Sequence, residues 1–184
     1  EPVDGLESLV VATTRPETML GDTGVAVNPK DERFKHLVGK TVTLPLVDRE
    51  IPIFADWHVD TEFGTGCVKV TPSHDPNDWA MGERAGLERI NIFDETAHVV
   101  EGYGKFSGMD RDEAREAVVA AFDELGLLDH VEDHDHSVMT CYRCHTTIEP
   151  MVSKQWFVKM DEMIKPAVEG VKNGDIQLLP KRME

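Results

Sequence analysis

Apolar positions along the chain fall into short clusters rather than long periodic runs. Residues 8–13, Ser-Leu-Val-Val-Ala-Thr, read as a buried strand, and residues 24–27, Gly-Val-Ala-Val, as another that ends at Asn28-Pro29. Residues 41–47 and 51–54 form an expected hairpin with Asp48-Arg49-Glu50 as its turn. In the strand expected over 66–71, alternation sets Cys67, Lys69 and Thr71 on one face and Val68 and Val70 on the other. The valines are expected to face the core, which turns Lys69 and Thr71 toward a cleft or solvent. Asp75 followed by Pro76 is a strong helix start, a capping carboxylate before Pro at the first helical position. That helix should run to about Ala85 and end at Gly86. Residues 90–93 read as a strand and the Gly-rich residues 102–108 as a loop. Residues 110–125 carry the clearest amphipathic stripe: Ala114, Val118, Ala121, Phe122 and Leu125, closed by Gly126. A shorter helical pattern occupies residues 155–169. Many short strands among few helices predict a mixed α/β (α+β) domain. Its expected core is a small, barrel-like sheet with peripheral helices, since the spacing does not suit repeated βαβ units.

Composition narrows the classes. The 184 residues suffice for one domain, with a core over about residues 8–130 and a Cys/His-rich segment over 131–184. No run of about 18 apolar residues is present, so no membrane span is expected. The chain opens without Met and stops in polar sequence, so it is expected to be a piece of a longer protein. Its net charge of −16 argues against a large nucleic-acid footprint and against DNA as a partner. Three cysteines, Cys67, Cys141 and Cys144, form no disulfide framework and point to a reducing, cytoplasmic setting.

Two polar segments carry candidate chemistry. Thr13 to Asp22 (Thr-Thr-Arg-Pro-Glu-Thr-Met-Leu-Gly-Asp) follows directly on an expected strand. Threonine hydroxyls and an Arg fork there can hold a ribose, a base edge or a phosphate. Equally, Thr13 or Thr14 can simply cap a short helix. In the second segment, Gly64-Thr65-Gly66 leads through Lys69 and Thr71 to His74-Asp75-Pro76-Asn77-Asp78. Asp75 and Asp78, three apart at a helix start, can be a cap and a first-turn carboxylate. Asp78, beside a strand end bearing Lys69 and Thr71, can also hold an ammonium group through a charge-assisted hydrogen bond. No Ser-His-Asp or Cys-His pattern demands a covalent nucleophile. His74 is a candidate base, though a histidine at a helix start is more often structural.

These two segments resemble the signature segments of the editing insertion of class I aminoacyl-tRNA synthetases, shared by valyl, isoleucyl and leucyl enzymes. Arg15 and Glu17, with 90–95 (Ile-Asn-Ile-Phe-Asp-Glu) and 153–160 (Ser-Lys-Gln-Trp-Phe-Val-Lys-Met), place the resemblance nearest the valyl branch. It runs from about residue 8 onward. Cys67 and Ser73 stand where such enzymes often have Ala, and Cys67, on the cleft-facing register, is expected to narrow the pocket.

The resemblance implies hydrolysis of threonine wrongly esterified to the valine tRNA, in a longer enzyme that joins valine to that tRNA. It implies that Asp78 holds the substrate ammonium, with Lys69 and Thr71 as its partners in catalysis. Asp75 would recognise the threonine hydroxyl. Arg15, Thr18, Thr13 and Thr14 would contact the substrate or the tRNA 3′ end. Valyl enzymes facing threonine are themselves the standard instance of a pocket that cannot reject an added hydroxyl by more than about a hundredfold. A second, hydrolytic site must then read that hydroxyl. No cofactor is expected in this domain, while ATP and Mg belong to the full-length enzyme. Cys141 and Cys144 can supply half of a zinc set whose other pair would lie elsewhere in such an enzyme, but a reduced, metal-free turn is the expectation for this domain. A leucyl or isoleucyl editing domain, a non-catalytic tRNA-docking module and a zinc-ribbon module are the competing readings.

Overall fold

The computed structural model describes residues 8–180 and 182. Two compact units divide the chain, the first ending at Val152 and the second beginning at Ser153.

The first unit is built on four strands: β1 (Gly24–Val27), β2 (Thr41–Leu44), β3 (Arg49–Ala55) and β4 (Cys67–Val70). They form an open mixed sheet in the order β2-β3-β1-β4. β1 runs parallel to β3, with Val25 beside Ile53, and antiparallel to β4, with Val25 beside Lys69. The β2–β3 hairpin forms as expected, but its turn lies at 45–48 and β3 begins at Arg49. Leu46 and Asp48 take the positive φ values that close it. The mixed α/β expectation therefore holds, with the sheet open rather than closed.

β1 is buried along its whole length because both sheet faces are covered. One face packs Val25, Val27, Leu37, Ile53 and Cys67 together, and the other packs Ala26, Val59, Val70 and Met81. Cys67 is thus a core residue, 4% exposed, and does not narrow a pocket. The face it shares with Lys69 and Thr71 grades from apolar core to polar site along one strand.

Helix α1 (Pro76–Ala85) starts and stops where expected. Asp75 caps it by accepting from the Asn77 and Asp78 amides, and Gly86 ends it at φ 68°. Gly82 lets it lie close against the sheet end, since a Cβ there would meet Pro72 Cγ at 2.7 Å. Helix α2 (Arg111–Glu124) is opened by a capping box between Asp110 and Glu113. Its Ala114, Val118, Ala121 and Phe122 enter a third core with Leu20, Ile92, Phe93, Val99 and Phe106. Leu125, expected on that stripe, lies past the last helical residue and is 56% exposed.

Two expected strands are absent. Around residues 8–13, Leu9 and Val11 pack on the core while Val10 points outward, and the segment joins neither edge strand, β2 or β4. At residues 90–93 the Ile92 amide donates to the His74 ring, and Phe93 meets Val99 only as a single bridge. The second unit carries helix α3 (Asp161–Lys172). It begins six residues later than the pattern predicts, at Asp161 and Glu162, whose charges suit a helix start.

Candidate active site

The segment after Arg15 folds into a 3-10 turn, Pro16–Gly21. Pro16 fixes its entry, and the Thr18 amide and hydroxyl both donate to the Arg15 carbonyl, at 3.1 and 2.9 Å. Gly21 allows the turn to press on the core, since a Cβ would lie 2.8 Å from Ile92 Cγ2 and 3.3 Å from Thr71 Cγ2. This approach carries Thr18 and Asp22 to the exit of β4.

A buried polar network forms there. Lys69 Nζ donates to Thr71 Oγ1 at 2.6 Å and Thr18 Oγ1 at 3.0 Å, and lies 3.3 Å from Asp22 Oδ1. The Thr71 hydroxyl donates to Asp22 Oδ1 in a short hydrogen bond. Asp22 and Thr71 are each 1% exposed. Burial raises the Asp22 carboxyl above its usual range, against the pull of Lys69 and Thr71. Lys69 and Thr71 therefore line no open cleft in this state. Their polar atoms are spent on each other, on Thr18 and on Asp22.

Asp78 joins the same strand end. Its Oδ2 accepts from the Thr71 amide at 2.9 Å, while Oδ1 accepts no hydrogen bond among the described residues. Burial lifts its carboxyl to about 6, opposed by the Thr71 amide and Lys69 and reinforced by Asp75 and Asp22. A carboxylate with one anchored oxygen and one free oxygen is suited to an incoming cation. Asp75 Oδ1 is occupied as the cap of α1, at 2.7 and 3.1 Å from two amides.

Arg15, Thr13 and His74 are bonded to the surrounding chain. Arg15 donates to the His74 carbonyl at 2.7 Å and pairs with Glu17 and, at short range, with Glu149. Thr13 Oγ1 accepts from the Arg15 amide at 3.0 Å, and Thr14 is exposed. His74 is 1% exposed, its Nε2 accepts from the Ile92 amide at 3.1 Å, and it stands edge-on to Phe93. Burial, helped by Arg15 and partly offset by a hydrogen bond with the Pro150 backbone, lowers its pKa to about 4. A neutral ring so engaged has its Nε2 lone pair committed to the Ile92 amide.

Asp22, Glu17 and Glu149 escape a reading of the sequence alone. Asp22 stands in the quoted segment, yet nothing local marks it as buried beside Lys69 until β1 pairs with β4. Glu149 bonds both Arg15 and Arg111, at 2.8 Å to the latter, across more than a hundred residues of chain in the first case. A cleft of about 640 Å³ lies elsewhere, against Phe54–His58, Arg84 and Ala85. It holds an Asp56–Arg84 ion pair and none of the groups above.

Cys141 and Cys144 sit at a tight turn bridged by Thr140 and Thr147. A structural zinc takes four ligands, and among the described residues no three metal-binding side chains gather. The turn supplies two at most. The Thr146 hydroxyl, 3.3 Å from Cys144 Sγ, with backbone amides and Cys141, lowers the Cys144 thiol to about 7. Burial pushes Cys67 up to about 11. Iodoacetamide at pH 7.5 should therefore modify Cys144 first and Cys67 last, as peptide mass spectrometry would register.

The family model for the leucyl-tRNA synthetase editing domain matches residues 32–123, half of the chain. The chain belongs to this editing-domain family. The matched stretch holds β2 to β4, α1 and most of α2, and with them Lys69, Thr71, Asp75 and Asp78. The editing domain is 59% identical over 182 residues to the valine–tRNA ligase of Clostridium tetani, covering 99% of this chain and 21% of that protein. It is 57% identical over 179 residues to the valine–tRNA ligase of Thermotoga maritima, with 97% and 21% covered. The chain thus spans about a fifth of these relatives. Among solved structures it resembles the crystal structure of GlLeuRS-CP1, with a TM-score of 0.53 at 18% identity over 67% of this chain and 83% of that one. A ternary LeuRS–tRNA–LeuAMS complex of Agrobacterium radiobacter K84 agnB2 gives a TM-score of 0.50 at 22% identity, covering 67% of this chain and 18% of that one. Both show the fold alone. Among the described residues no helix is long and apolar enough to cross a membrane.

Proposed function

We propose that this domain hydrolyses the ester of threonyl-tRNA(Val), as the proofreading site of a valine–tRNA ligase. The observation that carries the reading is Asp78, buried at a helix start with Oδ2 fixed by the Thr71 amide and Oδ1 open. An aminoacyl ester presents an α-ammonium beside the carbonyl to be attacked, and Asp78 Oδ1 is placed to receive it. The identity to two valine–tRNA ligases supports the choice of amino acid and tRNA.

Threonine differs from valine in offering a hydroxyl. Substrate entry would redirect Lys69 or Thr71 from Asp22 and Thr18 toward that hydroxyl, beside the Asp75 oxygen that the helix cap leaves free, and valine would leave such groups unpaired at a cost of about 1–3 kcal/mol each. With the His74 ring engaged at Nε2 and in its Pro150 hydrogen bond, a bound water attacks the ester carbonyl directly. The protein orients the ester and supports the developing charge. The tRNA 3′ end is the one nucleic-acid segment that enters. ATP, Mg and valine activation belong to the rest of the ligase, in the cytoplasm, and the domain itself uses no cofactor.

A panel of threonyl-, valyl- and isoleucyl-tRNA, each incubated with the full-length protein, tests the specificity. The threonyl ester should be cleaved at least about tenfold faster than the valyl ester, on the basis of one lost buried hydrogen bond. Fastest cleavage of the isoleucyl ester would assign the site to a different branch.

A further inference from the structure

We propose that Asp22 is a positioning residue of the editing site, whose buried carboxylate restrains the Lys69 ammonium and so keeps Asp78 Oδ1 open for the substrate. The inference rests on the hydrolytic reading above and adds a residue outside the segment that bears Asp78.

Hydrogen-bond direction carries the argument. Lys69 has three N–H donors and no acceptor. They point to Thr18 Oγ1, Thr71 Oγ1 and Asp22 Oδ1. The Thr18 proton goes to the Arg15 carbonyl, so Thr18 receives Lys69 on a lone pair. The Thr71 proton goes to Asp22, so Thr71 does the same. Asp22 is the acceptor at which this chain of donors ends. Both donors fall on Oδ1, so an asparagine there can keep its carbonyl oxygen in that place and lose only the charge.

Charge adds to direction. Lys69 is enclosed, with 10% of its side chain exposed. Besides Asp22, the carboxylate that feels it is Asp78, through the strand end they share. The groups facing Asp22 are Lys69 and the Thr71 hydroxyl at the β4 exit, Arg49 of β3, and Asp78 at the start of α1. Arg49 itself donates to the Leu20 and Asp22 carbonyls, at 3.3 and 3.0 Å. The groups facing Asp78 are Lys69, Asp75 and Asp22. Without the Asp22 charge, Lys69 is drawn to Asp78 and takes the oxygen meant for the substrate ammonium.

The test is a double-mutant cycle in the full-length protein, with single-turnover hydrolysis of threonyl-tRNA(Val) from pH 5 to 8. Asp22→Asn should lower kcat/KM at least about tenfold and move the acid limb of the profile below that of the wild type, because Asp78 loses a negative neighbour and gains a closer positive one. In a Lys69→Met background, adding Asp22→Asn should change kcat/KM less than about twofold, since no ammonium is left to restrain. Losses that multiply, or an acid limb that stays in place, overturn the proposal. If Asp22→Asn melts below the assay temperature, the whole cycle is run below its melting temperature, where the fold-change and the shift of the acid limb are read against the wild type at that same temperature. A wild type that leaves threonyl-tRNA intact would refute the hydrolytic reading itself, which separates that failure from this one.

Discussion

Asp78→Asn should stop threonyl-ester hydrolysis and make the protein more stable at the same time. Burial raises the Asp78 carboxyl from 3.8 to about 6, so the folded protein holds that proton more tightly than the unfolded chain. The stability this gives is fully present below about pH 3.8 and is lost as pH rises through about 6. At pH 7.5 the ionised carboxylate weighs against folding by about 1–3 kcal/mol. Asparagine removes that charge while its carbonyl still accepts from the Thr71 amide. Thermal melts at pH 7.5 should therefore show the variant more stable by about that amount, and melts at pH 4.5 should show the gain largely gone. Hydrolysis should fall at least about a hundredfold, because the ammonium loses a charged partner in a water-poor site. In the wild type, activity should decline as pH drops through about 6, where Asp78 takes up its proton.

Leu20→Ala should cost the first unit about 2–5 kcal/mol, the range for a buried leucine cut back to its Cβ. Leu20 is 1% exposed and joins the 3-10 turn to Val118 and Phe122 of α2. It also sits between Thr18 and Asp22, so loss of its packing loosens both ends of the Lys69 network. Urea denaturation would measure the stability change, and hydrolysis by the still-folded fraction should fall with it. A variant with wild-type stability would mean that the turn is held by its hydrogen bonds rather than by the core beneath it.

Local rules made much of this molecule legible. Asp75-Pro76 and Gly86 bounded α1, and the stripe from Ala114 to Phe122 chose the buried face of α2, because caps and helical periodicity are written in adjacent residues. β1 and the β2–β3 hairpin were equally clear. What failed depended on partners distant in sequence. Residues 8–13 have strand composition, yet Leu9 and Val11 settle on the core without pairing with either edge strand, β2 or β4. Residues 90–93 donate to an imidazole instead of a neighbouring strand. Cys67 and Lys69 share one face of β4, yet one meets valines and the other meets Asp22, a difference set by where the 3-10 turn crosses the strand. The candidate site was legible as a set of residue types. That Lys69 and Thr71 are already bonded to Asp22 could be seen only once the turn and the strand were packed together.

Accumulation of threonyl-tRNA tests the central claim most directly. The full-length protein, supplied with ATP, Mg, threonine and tRNA(Val), should leave almost no threonyl-tRNA at steady state, and its Asp78→Ala variant should accumulate it while still charging valine. Equal and negligible threonyl-tRNA from both proteins, with valine charging intact, would contradict the assignment of this domain as the site that removes threonine.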